Sequence, residues 1–448
     1  MRKTVFGCLG AAAVALALQF TTANVHAGLF SIGGCNPCDP IACEPCDALA
    51  CDPCDPCGNG CAPVKAGKWF LNGHMEAGFW ANAHGEKSAY GGANRGAILA
   101  SGNTGLLQNT RLTGAQINQV YLSMGKKVDG RHGLDIGGTI DFTWGSDAYL
   151  VQTAGMESAT GHWSGMTPTM PKGVMDQTGA WGSGDYFSAF AQAYAELAYG
   201  RWNVIIGKFY APFGSDSYKS TDNFFYTWSP NNLINPQVGG GAYASYKVSD
   251  KLTVIGGWVM PEEIGESSNN NALLGGFVWT PSKRFNTRYA FAAGENHYDG
   301  NFPGADYDYF THSLTATTQI NKRLKYVFDW SYFHIKAAGT GDNLDAYGLN
   351  NEIIYQYNKR WAFGTRFGMI HGEALETLID PQGQVLNAWG GDWCFVSLGA
   401  NWTPNKWLVV KPELRYDWMD GGAAPATVFN TGENTYQFSG GMSAVVKF

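Results

Sequence analysis

The sequence predicts an all-β protein, an up-and-down antiparallel transmembrane β-barrel of about 16 strands. Three observations carry this. Charged residues are only 15% of the chain while aromatics reach 14% and Gly numbers 59; soluble domains carry roughly 25% charge. After residue 27 no run of 18 apolar residues occurs, so a helical membrane bundle is excluded. The chain instead repeats segments of period 2, bulky on one face and charged or small on the other, which is how a barrel strand reads. The aromatic load excludes disorder over most of the length. A net charge of -7 argues against a nucleic-acid partner.

The elements follow in order. Arg2 and Lys3 precede an apolar stretch, Val5 to Phe20, and Val25-His26-Ala27 offers a small-residue cleavage site; residues 1–27 read as a secretory signal. Residues 28–67 form an arm of Cys, Asp and Pro with little apolar mass to bury. It holds Cys35, Cys38, Cys43, Cys46, Cys51, Cys54, Cys57 and Cys61. Pro blocks regular structure here. Three readings stay open for these cysteines: a zinc cluster from the Cys-x-x-Cys spacing, disulfides within the arm or between chains, or an unbonded tether. Export into an oxidising compartment favours disulfide or crosslink chemistry, and pairing cannot be read from spacing. Cys394, in an apolar stretch, reads as a lone buried packing residue.

The barrel occupies residues 68–448. Strands are expected to start near Lys68, Ala115, Gly133, Asp185, Arg201, Gly241, Lys251, Asn271, Arg284, Tyr307, Leu324, Ala346, Trp361, Asp392, Trp407 and Thr435. The clearest is Trp407 to Trp418. Leu408, Val410, Pro412, Leu414, Tyr416 and Trp418 share one face, and Lys411, Glu413, Arg415 and Asp417 the other. A midplane Arg or Lys facing lipid costs roughly 2–4 kcal/mol, so this charged face must meet water. Short turns, such as Ser249-Asp250 and Asn358-Lys359-Arg360, alternate with long loops, such as 150–184 and 214–240. Trp202, Trp279, Trp361, Trp402 and Trp407 lie beside short turns, and Trp80, Trp144, Trp258 and Trp418 toward long loops, which predicts two aromatic girdles. The last strand ends in Phe448, a terminal aromatic that reads as an assembly signal.

A barrel of this size leaves a water-filled lumen unless something fills it. Parity points Asp135, Asp141, Glu196, Asp329, Glu352, Glu413 and Asp417 inward, with Arg288, Lys325, Arg366, Lys411 and Arg415; no ring of one sign is evident. The loop after the fifth strand carries Asp216, Lys219, Asp222, Phe224, Phe225, Tyr226 and Trp228. So many aromatics do not belong in water, and the loop is the constriction candidate. Lys208 breaks its strand's alternation just before it. The narrow zone is therefore assigned to Lys208, Asp222, Phe224, Phe225, Tyr226, Arg366, Glu413 and Arg415.

The segment Gly207-Lys208-Phe209-Tyr210-Ala211-Pro212-Phe213-Gly214, followed by Asp222-Asn223-Phe224-Phe225-Tyr226-Thr227-Trp228-Ser229, resembles the OmpL-like family of β-barrel outer-membrane porins. The resemblance covers about residues 68–448 and leaves the arm outside. It implies a bacterial outer-membrane channel through which small hydrophilic solutes diffuse passively, with outer-membrane lipids and the barrel-assembly machinery as partners, and a homotrimer. It supplies no catalytic residues. The alternative is a structural envelope anchor crosslinked through the arm, which would lie in the periplasm. Phosphate loops and a Gly-x-Ser-x-Gly elbow are absent, so no enzyme or cofactor site is expected, and no metal site is assigned in the barrel. His312, His334 and His371 share the apolar parity of their strands and read as interfacial packing residues.

Overall fold

A computed structural model describes residues 69–83, 114–153, 156, 186–261, 270–296, 307–337, 343–372, 377–379, 385–387, 391–420 and 434–448. The expected signal segment, the arm with its eight cysteines and most of the long loops lie outside the described residues.

Alternating side chains turn this chain into strands. They are β1 (Trp69–Asn82), β2 (Gly114–Lys126), β3 (Asp135–Gly145), β4 (Phe187–Tyr199), β5 (Trp202–Tyr210), β6 (Val238–Lys247), β7 (Leu252–Pro261), β8 (Asn270–Ser282) and β9 (Phe285–Asn296). There follow β10 (Tyr307–Gln319), β11 (Leu324–Ala337), β12 (Asn343–Gln356), β13 (Trp361–Gly372), β14 (Thr377–Ile379), β15 (Val385–Asn387), β16 (Gly391–Asn405), β17 (Leu408–Asp420) and β18 (Tyr436–Lys447). Sixteen of them close into one antiparallel barrel, each beside its neighbour in sequence, with β1 against β18. Sixteen is the expected number. The pair β14–β15 is a separate hairpin in the long connection between β13 and β16 that periodicity did not indicate.

Closure leaves no open edge, which exposed backbone groups in lipid would not tolerate. At the seam Phe448 N–H donates to the Gly73 carbonyl and Gly73 N–H to the Phe448 carbonyl, each at 3.0 Å. The two faces separate as parity requires. Leu71, Ile136, Ile140, Ile206, Leu273, Leu398, Leu414 and Met442 are exposed on the outside, while Asp141, Asp329, Ser397, Glu413 and Asp417 are buried on the inside. The core of this protein is therefore its lumen.

Trp202, Trp279, Trp402 and Trp407 are exposed at the short-turn rim, and Trp258 toward the long loops. Trp80 is a correction. It shares parity with inward Glu76 and Asn82, is fully buried, and meets Tyr226 edge-on with ring centroids 5.7 Å apart. His334 and His371 stay on the outer face near the long loops, each against a carboxylate: His334 Nδ1 to Asp345 at 2.8 Å, His371 Nδ1 to Asp392 at 2.7 Å. Cys394 is buried but disulfide-bonded, not the lone packing residue its sequence context suggested.

Candidate functional site

Between β5 and β6 the chain turns into the lumen. Pro212, Pro230 and Pro236 deny it ladder hydrogen bonds, and Gly214 takes a left-handed φ of 66° that directs its first leg across the barrel. Two short 3₁₀ turns, Ser220–Asp222 and Pro230–Leu233, supply the bends. The two legs are tied to each other. The Asp216 carboxylate accepts from Ser229 N–H at 2.7 Å and Ser229 Oγ at 2.6 Å. Asn223 and Ser217 exchange two further bonds, of 2.6 and 2.8 Å.

Each wall then holds the segment at separate points. Gly214 N–H donates to Ser313 Oγ of β10 at 3.0 Å, and the Gly214 carbonyl accepts from Arg288 of β9 at 2.5 Å. Ser215 donates through N–H and Oγ to Asp329 of β11, at 2.9 and 3.0 Å. Asn235 donates to Ser331 of β11 at 2.8 Å. On the other side Gln119 of β2 donates to the Tyr218 carbonyl at 2.7 Å, and Tyr226 Oη donates to Asn118 at 3.0 Å. Lys219 lies 3.2 Å from Asp141 of β3 and over the Tyr121 and Tyr210 rings. Asp141 also accepts from the hydroxyls of Tyr121 and Ser123. Burial pushes the Tyr218 and Tyr226 hydroxyls well above the ordinary phenol range, so both act as neutral partners.

The strongest cluster lies on the far wall. Thr227 donates through N–H and Oγ to Glu413 of β17, at 2.8 and 2.7 Å. Arg366 of β13 reaches Thr227 Oγ1 at 2.7 Å and Glu413 at 3.3 Å, with Asp216 3.7 Å away. Arg415 donates to the Trp228 carbonyl at 2.7 Å and pairs with Asp417 at 2.7 Å. Glu413, Arg366 and Arg415 are almost wholly removed from solvent. Buried charges persist when paired and hydrogen-bonded; each charge here is paired, although Arg366 Nε and Nη1 have no hydrogen-bond partner. The Phe225 and Phe395 rings cover the two guanidiniums. Gly364 and Gly399 make room: a Cβ at Gly364 would strike the Phe224 ring, and one at Gly399 would lie 2.9 Å from Phe225.

The residues assigned to the narrow zone thus fall into two groups. Phe224, Phe225, Arg366, Glu413 and Arg415 come together where the loop meets the far wall, while Tyr226 turns toward β1 and β2, against Trp80 and Asn118. Asp222 sits at the loop's tip and is exposed. Lys208 is apart from both; it is buried and donates to the Val151 carbonyl at 2.6 Å, bracing the 3₁₀ segment Ser146–Val151 inside the lumen. Phe448 is at the seam. Thr227 was not singled out from sequence. A hydroxyl inside the run Phe224 to Trp228 was the available signal, since a polar group buried among aromatics needs a partner.

A closed barrel with an apolar outer belt, a polar lumen and one loop folded inside defines an outer-membrane channel of the porin class. The chain belongs to the family described as "Putative beta-barrel porin-2, OmpL-like", which matches residues 72–448. Comparison with curated protein sequences gave no match. Among solved structures, the anion-selective porin from Comamonas acidovorans is 10% identical with a TM-score of 0.53, over 85% of this chain and 99% of that one. The outer-membrane channel DcaP of Acinetobacter baumannii is 12% identical with a TM-score of 0.53, over 86% and 98%. Salmonella typhi OmpF is 12% identical with a TM-score of 0.51, again over 86% and 98%. At such identity the likeness is one of fold. The protein is an outer-membrane porin.

Proposed function

We propose that this porin passes small hydrophilic solutes by passive diffusion, with the 211–237 segment as its constriction. The observation that carries the reading is that segment's attachment inside a polar lumen. Asp222, exposed at the tip, and Lys219 beside it are the charges of the narrow zone that meet solute. Arg366, Glu413, Arg415, Phe224, Phe225 and Tyr226 fix the loop's position, and Lys208 supports the neighbouring turn. No chemical step or cofactor belongs to this reading.

Residues 1–27 are the export signal, and residues 28–67 a periplasmic arm whose cysteines form disulfides or crosslinks. Trp69 pairs with Lys126 at the short-turn rim, so the barrel begins on the periplasmic side, which supports that placement. Phe448 serves the assembly machinery, and the barrels associate as a homotrimer. The test is single-channel recording of the refolded mature chain in a planar bilayer under a salt gradient. Stable open steps support the reading, and the reversal potential gives the ion preference. A folded, inserted barrel that never conducts overturns it and favours an envelope anchor held by the arm.

A further inference from the structure

Charge is divided unevenly between the two rims of the wall. Among the described residues, the outer face at the long-loop rim carries Glu295, Asp308, Asp345 and Asp420 against Lys336. The short turns are basic. Ser282-Lys283-Arg284 joins β8 to β9, Asn321-Lys322-Arg323 joins β10 to β11, and Asn358-Lys359-Arg360 joins β12 to β13. Ser249-Asp250-Lys251, between β6 and β7, and Asn405-Lys406, between β16 and β17, are lighter versions of the same unit.

The first residue of each unit fixes its backbone. Asn321 Oδ1 accepts from the N–H groups of Arg323 and Leu324, at 2.8 and 3.0 Å. Asn358 Oδ1 does so for Arg360 and Trp361, at 2.8 and 3.0 Å, and Asn405 Oδ1 for Trp407 and Leu408, at 3.1 and 2.9 Å. Ser249 and Ser282 cap their turns through Oγ. Such caps set the turn, so the cations stand at defined places. The residue after each unit is Leu252, Phe285, Leu324, Trp361 or Trp407. Trp361 stacks on Trp402 with centroids 6.0 Å apart, and Phe285 meets Trp279 edge-on at 5.9 Å. The cations therefore adjoin the aromatic girdle, where Lys and Arg reach into the headgroup layer.

None of the cations in these units pairs with a carboxylate among the described residues. The ion pairs of this rim belong to Lys126, Arg131 and Lys247. Neighbouring turns are two strands apart, about 10 Å, which is close to the Debye length. The charges thus repel one another, and a countercharge outside the chain offsets this. The units follow the rim from β6 round to β17. A lipid leaflet meets that whole arc at once, at the level of its phosphates.

We propose that the short-turn rim binds anionic phospholipid headgroups of the leaflet around it. The capped Lys and Arg residues receive the phosphates, and the adjoining Trp, Phe and Leu side chains meet the upper acyl chains. The proposal needs the outer-membrane barrel and does not depend on conduction.

The experiment reconstitutes the full mature chain in liposomes and compares quenching of its Trp fluorescence by dibromo-phosphatidylglycerol and by dibromo-phosphatidylcholine. Trp202, Trp279, Trp402 and Trp407, exposed at this rim, report on the lipids in contact. Phosphatidylglycerol should be preferred about fivefold at low salt, the effect of one Lys or Arg beside an anionic surface. The preference should fall toward unity in about 1 M salt. It should also fall in a variant with Lys283, Arg284, Lys322, Arg323, Lys359 and Arg360 each changed to Gln, which keeps the caps. Lys322→Gln with Lys359→Gln guards against failed insertion and should lose part of the preference. A parent without preference, or a preference that survives in both variants, overturns the proposal. So does a parent without preference whose reversal potential shifts in the variants, because the cations then face solute. A barrel that prefers phosphatidylglycerol but never conducts supports the proposal and overturns the diffusion reading alone.

Discussion

Glu413→Ala removes the acceptor on which the far end of the inward segment depends. Three bonds disappear: 2.8 Å from Thr227 N–H, 2.7 Å from Thr227 Oγ and 3.3 Å from Arg366. Arg366 is left fully buried, with Asp216 at 3.7 Å and Glu352, its cross-strand partner on β12, as the remaining carboxylates. Breaking a buried ion pair from one side costs about 3–5 kcal/mol, and Asp216 holds the value near the lower end. The barrel walls keep their own ladders, so the loss falls on seating of the segment rather than on the whole fold. About 3 kcal/mol is a factor of roughly a hundred in the seated-to-open ratio. Amide hydrogen exchange of the peptide covering residues 225–229 reads that ratio directly, since Thr227 N–H is one of the bonded donors. Its protection should fall by about two orders of magnitude while that of β3 and β8 holds. Adding Arg366→Met should restore part of it, because removing both members of a buried pair is far less costly than removing one. A change below about threefold, under 0.7 kcal/mol, would mean that Thr227 and Glu413 do not hold the loop.

Further outcomes are expected. Leu414→Arg, on the outer face at mid-strand, should lower barrel stability in liposomes by about 2–4 kcal/mol, whereas Thr317→Arg, on the lumen face, should change the urea midpoint little. Gly364→Val should displace Phe224 from its seat, seen as faster exchange at residues 222–226 with the barrel's thermal transition kept. Asp129, in the β2–β3 turn, is held down to about 2 by its side-chain hydrogen bond with Arg131. A depressed carboxylate stabilises the fold fully above its unfolded value and loses that contribution as pH falls through its folded one. Asp129→Asn should therefore cost a few tenths of a kcal/mol at pH 7, since the pair is largely exposed. By about pH 1.5 it should cost nothing; an equal penalty at both pH values would refute the linkage.

The strands were legible because a barrel wall has two solvents, lipid and lumen water, and each writes on alternate residues. Leu414 and Glu413 announce opposite faces from sequence alone. The inward loop was legible for a related reason: Phe224, Phe225, Tyr226 and Trp228 are too apolar for an outer loop. Depth was not legible. Parity says that Arg366, Glu413 and Arg415 face inward, but not that a segment some 140 to 190 residues away in sequence lies over them. Trp80 misled for the same cause. Its position toward a long loop matched a girdle, while its parity, shared with Glu76, placed it inside. The hairpin β14–β15 is too short to show a period.

The inward segment also ties together stretches far apart in the chain. Thr227 is joined to Arg415 across 188 positions, and Tyr226 to Asn118 across 108, so one short stretch binds strands from both ends of the chain. The seam of the wall, His74 against Lys447, joins positions farther apart still. Each such link must close a long loop before it is rewarded, at an entropic cost that grows only slowly with loop length. Wall and segment are thus both built from non-local contacts, and the molecule is expected to fold slowly for its size.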